Sequence, residues 1–174
     1  MKNRIYFLFL ILAFGGFAFV SVLVQNWELK TPFTVKFINP EATGSFTRMT
    51  ADIAFSENDL KSSRFDVNID VNSIDIGSPD MSKQALSADM LNAKKFPSIL
   101  FNGTEVTKTK DGYAVKGSLT LHGVKNEVEI PFTFPDKTFK GSFSIKAKDY
   151  GINSLGNGPE DILKIELAIP VKEK

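Results

Sequence analysis

The stretch Phe65-Asp66-Val67-Asn68-Ile69-Asp70-Val71-Asn72 alternates apolar and polar side chains without a break. Period two belongs to a β-strand, whose successive side chains point to opposite faces. Phe65, Val67, Ile69 and Val71 thus fall on a dry face, and the Asp and Asn residues on a wet one. The same period recurs outward in both directions. Upstream are Phe33, Val35 and Phe37, then Met49, Ala51, Ile53 and Phe55. Downstream are Tyr113, Val115, Gly117, Leu119 and Leu121; Val128, Ile130, Phe132 and Phe134; Phe139, Gly141, Phe143, Ile145 and Ala147; and Leu163, Ile165, Leu167, Ile169 and Val171. A shorter, less regular run lies at Ser98 to Phe101.

Turn signals separate these runs: Asn39-Pro40, Asn102-Gly103, Lys110-Asp111-Gly112, Pro135-Asp136 and Gly156-Asn157-Gly158-Pro159. The count is about eight strands, which suits a closed up-and-down barrel or a two-sheet sandwich. The gaps are too short for crossover helices, so antiparallel pairing is expected. Two segments read as helical. Ser56-Glu57-Asn58-Asp59-Leu60 is a capped turn after a strand. Asp80 to Leu91 lacks alternation and is well started by Ser78-Pro79-Asp80. A helix there would cover one end of a barrel, and the alternative is an irregular loop.

The chain has two parts. Residues 1–25 read as a signal peptide or N-terminal membrane anchor, and residues 26–174 as the β domain. Ile5 to Val24 is an uncharged, almost wholly apolar helical run preceded by Lys2 and Arg4. Twenty residues at about 1.5 Å each span roughly 30 Å, enough to cross a hydrocarbon core. The basic end stays in the cytoplasm, so the domain is expected outside the inner membrane, periplasmic or extracellular. It is tethered through residues 5–24, or secreted if the segment is cleaved near Ala18 or Ser21. A buried core helix is the remaining reading of this run.

Composition narrows the function. The formal net charge is +1, and −1 once Lys2 and Arg4 are set aside. No basic face for phosphate backbones follows, so nucleic acid is not expected as a partner. Hydrophobic residues make up 43% and charged residues 24%, which excludes general disorder. There is no Cys, which removes disulfides, thiol catalysis and Cys-based metal sites together. Of the 16 Phe, 11 follow the N-terminal run. Phe carries no polar handle and suits a dry interior, either as a filled core or as the wall of a cavity.

Catalytic signals are weak. His122 is the only His, so it cannot build a metal site without Cys, and in Leu121-His122-Gly123 it opens a turn. A structural hydrogen bond is its expected role. Asp66, Asn68 and Asp70 share one wet strand face and read as solvated. Asp149-Tyr150-Gly151 is expected to fix a turn. No nucleophile elbow, phosphate loop or calcium loop is present.

Six motifs in order resemble the YceI-like family. They are Gly44-Ser45-Phe46; Ala51 to Leu60, a strand followed by an acidic turn; Val67 to Asp75, a strand ending in Ser73-Ile74-Asp75; and Ala88 to Phe101, with Phe96-Pro97 and then Phe101. Gly117-Ser118-Leu119-Thr120-Leu121-His122-Gly123-Val124 and Lys148-Asp149-Tyr150-Gly151-Ile152 complete the set. The resemblance covers about residues 28–171. It implies an all-β, antiparallel, lipocalin-like barrel of about eight strands with a short helix and a long apolar cavity. It also implies non-catalytic binding of a polyisoprenoid or other long-chain lipid, for transport or storage, with no cofactor. Three positions depart from the family pattern. Glu28 to Phe33 lacks its His-Ser pair, Lys148 stands where Arg is common, and Gln84-Ala85-Leu86 replaces Arg-Asp and His-Leu pairs.

Stripe and resemblance together give the expected lining: Phe37, Phe46, Ile53, Phe55, Val67, Ile69, Phe101, Leu119, Leu121, Phe132, Phe143 and Ile145. The segment Asp80–Leu91 is expected to gate the mouth. A free edge near the weak first strand is expected to offer a homodimer contact. Two further readings stay open: an interaction module with a filled barrel, and a lipid-acting enzyme using His122.

Overall fold

A computed structural model describes residues 24–152 and 161–174. The apolar run from Ile5, except its last residue, lies outside the described residues, as does the Gly156–Pro159 turn signal. No helix among the described residues is long and apolar enough to cross a membrane.

Among the described residues eleven strands form in chain order: β1 (Asn26–Leu29), β2 (Thr34–Ile38), β3 (Thr43–Phe46), β4 (Met49–Ala54), β5 (Arg64–Asp70), β6 (Ile74–Asp75), β7 (Ser98–Thr109), β8 (Gly112–Leu121), β9 (Val124–Thr133), β10 (Thr138–Lys146) and β11 (Ile162–Glu173). One α-helix, α1 (Pro79–Ala85), lies between β6 and β7. All pairings are antiparallel, and β1-β4-β5-β7-β8-β9-β10-β11 closes back on β1. The short strands continue three of these staves. β1 and β2 both pair with β11; β4 pairs with β1 and β3 with β2; β5 pairs with β4 and β6 with β3. The result is a closed barrel of eight staves, three of them bent. The first bend falls at Lys30–Phe33, where Pro32 has no N–H to give to a ladder.

Expected alternation sets the walls. Along β5, Phe65 is buried and Asp66 and Asn68 are exposed. Asp66 accepts from Asn102 Nδ2 at 2.7 Å, and Asp70 pairs with Arg48 Nη2 at 2.8 Å. Hydrogen bonds from the Arg48 side chain hold the Asp70 carboxyl below its usual range.

Several expectations are corrected. Asn102-Gly103 is not a turn but the middle of β7, which runs for 12 residues. A Cβ on Gly103 would meet Val115 Cγ2 at 2.6 Å, and the register shifts between Gly103 and Glu105. Glycine here allows close approach at a bulge. With no side chain it leaves the dry face unmarked, so the run near Ser98 looked short. The helix expected to reach Leu91 stops at Ala85, followed by turns in which Ser87 O accepts from the N–H groups of Met90 and Asn92. Asn92 takes a positive φ of 45°. The first strand offers no free edge, because β1 is paired on both sides. The β8–β9 hairpin turns on His122 (φ 52°) and Gly123 (φ 77°), two left-handed residues that match a primed turn and the strand twist.

Candidate ligand cavity

The strands run up and down, so the connections gather at two ends. At one end lie the starts of β1 and β8, the Phe55 corner and the Phe134-Pro135 turn. Phe55 is fully buried there and packs against Tyr113, Phe132, Phe134 and Phe139 with ring centroids 5.1–5.5 Å apart. Trp27 packs edge-on to Phe134 and donates from Nε1 to Phe55 O at 2.9 Å. The Tyr113 hydroxyl donates to Glu57 Oε1, which pushes the phenol pKa up to about 12. Edge-to-face ring pairs of this kind fill space densely and favourably.

Toward the other end the barrel is hollow. A cavity of about 220 Å³ lies between the inward faces. This is far more than the roughly 10–15 Å³ that one water needs, so the barrel is not filled by its own side chains. Its wall exposes only apolar surface. Asn39 is the only polar side chain among the described lining residues, and its amide is turned to the backbone. Nδ2 donates to Ile162 O at 3.1 Å and Oδ1 accepts from Glu41 N at 2.9 Å. A cavity without polar partners does not hold ordered water well and suits an apolar guest.

Eleven of the twelve expected positions line this space: Phe37, Phe46, Ile53, Val67, Ile69, Phe101, Leu119, Leu121, Phe132, Phe143 and Ile145. Phe55 does not. It lies one residue beyond the end of β4, where the chain turns across the barrel end and plugs it. Phe65, Phe132 and Phe139 belong to both regions and form the floor. Sequence reading missed Phe65, Val115, Ile130, Ile165 and Leu167 as lining, although their period-two positions were visible. It also missed Ile74 and Ile76, which follow β5 around a bend. Near the mouth, Ala85, Met90 and Leu91 face the cavity. The segment read as a gate therefore covers this end, as a seven-residue helix and a loop.

His122 holds the mouth together. Its Nδ1 donates to Tyr150 O at 3.1 Å, and its ring stands edge-on to Phe96 at 4.6 Å. Asp161, which is buried, accepts from Lys148 N at 2.8 Å and so ties the turn Ala147–Tyr150 to the start of β11. Gly151 closes that turn at φ 71°. Among the described residues no three His, Asp or Glu side chains come together as a metal site.

Residues 24–172 match the YceI-like domain. The chain is 32% identical over 142 residues to a UPF0312 protein of Pectobacterium atrosepticum, covering 75% of this chain and 74% of that one. It is 33% identical over 140 residues to a UPF0312 protein of Serratia proteamaculans, covering 74% and 71%. Among solved structures, BcnA of Burkholderia cenocepacia superposes with a TM-score of 0.75 at 23% identity, over 83% of this chain and 99% of that one. A polyisoprenoid binding domain from Saccharophagus degradans superposes with a TM-score of 0.61 at 13% identity, over 87% and 99%.

Proposed function

The chain belongs to the YceI-like family, and from that premise we propose that it binds one long apolar lipid of the polyisoprenoid class inside the barrel, for transport or storage. The observation that carries this reading is the entirely apolar cavity, blind at an aromatic floor and covered by α1 and its following loop. Removal of apolar area from water supplies roughly 25 cal/mol per Å². Ordering of a flexible chain offsets part of it. Such a site selects for length and apolarity more than for chemical detail. The Saccharophagus degradans domain of the same fold is described as polyisoprenoid binding, which supports the ligand class.

Binding rather than catalysis fits the one His. Its ring is engaged with Tyr150 and Phe96, and no acid lies against it as a catalytic partner among the contacts described. The site of action we place outside the inner membrane, with residues 5–24 as tether or signal, on the basic start and apolar run of the sequence.

The test is native mass spectrometry with organic extraction on the full chain, released from membranes in mild detergent. A stoichiometric prenyl or acyl species is the expected result. An empty protein that also refuses added geranylgeraniol would overturn the proposal and favour an interaction module. Loss of biological activity in a His122→Ala variant that still binds lipid would point to an enzyme.

A further inference from the structure

The barrel wall is not uniformly closed. β8 and β9 pair along their whole length, from Tyr113↔Phe132 to Leu121↔Val124. β10 and β11 pair from Thr138↔Pro170 to Lys146↔Ile162. Between them, β9 and β10 share only Lys140↔Thr133 and Gly141↔Phe132. The ladder stops at Pro131, which has no N–H to donate. Beyond it the two strands part, and each leaves an edge of backbone donors and acceptors toward the gap.

The gap forms a groove on the wall. It is lined by inward-facing residues of both strands (Asn126, Val128, Ile145) and by outward-facing ones (Glu127, Ser144, Lys146), with Asp149 and Tyr150 at its end. Asn126 Nδ2 donates to Asp149 O at 2.9 Å, and burial is the main cause that raises the Tyr150 phenol pKa. Ile145 alone lines both this groove and the apolar cavity. Ile145 thus borders both a compartment that exposes no polar group and one that offers several.

We infer that this groove receives the polar end of the bound amphiphile, whose tail lies in the cavity and whose chain crosses the wall beside Ile145. The inference rests on the lipid-binding reading above. The cavity offers a hydroxyl or carbonyl no partner, and burying such a group unpaired is unfavourable. The groove beside it offers Asn126, Ser144 and the strand-edge peptide groups. Its charges select the head group. Lys146 contributes one positive charge, and Glu127 and Asp149 two negative ones. A net negative groove accepts an uncharged hydroxyl or carbonyl head and repels a diphosphate.

The experiment compares dissociation constants of the full chain for three probes: geranylgeraniol, geranylgeranyl diphosphate and the saturated hydrocarbon phytane. The variants are Glu127→Lys, which makes the groove net positive, and Asn126→Leu. The alcohol is expected to bind wild-type protein more tightly than the diphosphate. Glu127→Lys is expected to tighten the diphosphate about tenfold, an effect of one reversed charge at close range, and to leave phytane unchanged. Asn126→Leu is expected to weaken the alcohol severalfold without moving phytane. If both variants shift all three probes alike, or none, the head group lies elsewhere and the inference is overturned. If wild-type protein binds none of the three, the lipid-binding reading itself fails.

Discussion

The two ends of the barrel are built from the same alternating strands yet do opposite things. At the plugged end Trp27, Phe55, Phe134 and Phe139 close ring on ring, β1 is paired on both sides, and a buried indole N–H is satisfied at 2.9 Å. At the open end Phe37, Phe46, Ile69 and Phe143 are only half-buried, because their inward faces meet a cavity; only Phe37 and Phe46 among them pair ring to ring, at 5.8 Å. The cover there is a seven-residue helix, and the wall beside it parts at Pro131. Packing contacts hold the plugged end. The open end leaves those contacts for a guest to make. A lipid that fills the cavity should therefore add stability by mass action, growing with the logarithm of its concentration above the dissociation constant.

The sharpest way to break this comparison is to remove the plug. Phe55→Ala is expected to cost about 3–5 kcal/mol in denaturant unfolding, because its neighbours cannot all collapse into the void. Phe143→Ala should cost less than half as much, since that ring already faces open space. Equal costs would show that the two ends are packed alike.

Next in size is Ile69→Glu. A carboxylate set in the cavity finds no hydrogen-bond donor, so lipid uptake should fall more than tenfold while circular dichroism still reports a β fold. Wild-type uptake by this variant would remove Ile69 from the lining. Trp27→Phe keeps the ring contact with Phe134 but leaves Phe55 O without its donor. A loss of about 1–2 kcal/mol is expected, with lipid affinity unchanged. A change in affinity would mean that the plug and the cavity are coupled.

The smallest effect concerns Arg48 and Asp70, an exposed pair where β4 and β5 bend toward the mouth. Asp70 has its pKa lowered from the ordinary 3.8 in the folded protein. Its contribution is therefore present above that value and is lost as pH falls through the lower folded value. Solvent screening keeps it to about 0.5 kcal/mol or less. Unfolding of Arg48→Ala should differ slightly from wild type at pH 6 and converge with it as the carboxyl protonates. A difference that grows with falling pH would contradict the assigned pairing.

The sequence alone determined the faces. Period two is a local property of extended backbone, so the inward set could be read residue by residue, and eleven of twelve expected lining positions face the cavity. It also marked its turns where local dihedrals demand Gly or Asn, as at His122-Gly123 and Asp149-Tyr150-Gly151. It misled where a signal had a second meaning. Asn102-Gly103 is a common turn pair, but the glycine serves close packing against Val115 within a strand. Only the tertiary structure decided which inward residues meet each other and which meet a void. Phe55 and Phe143 have the same chemistry and the same alternation. One lies where the chain crosses the barrel end among five other rings, and the other lies beside a break in the wall. That difference is set by closure of β1 onto β11, a contact between residues far apart in the chain that no local pattern records, and by the parting of β9 from β10 beyond Pro131.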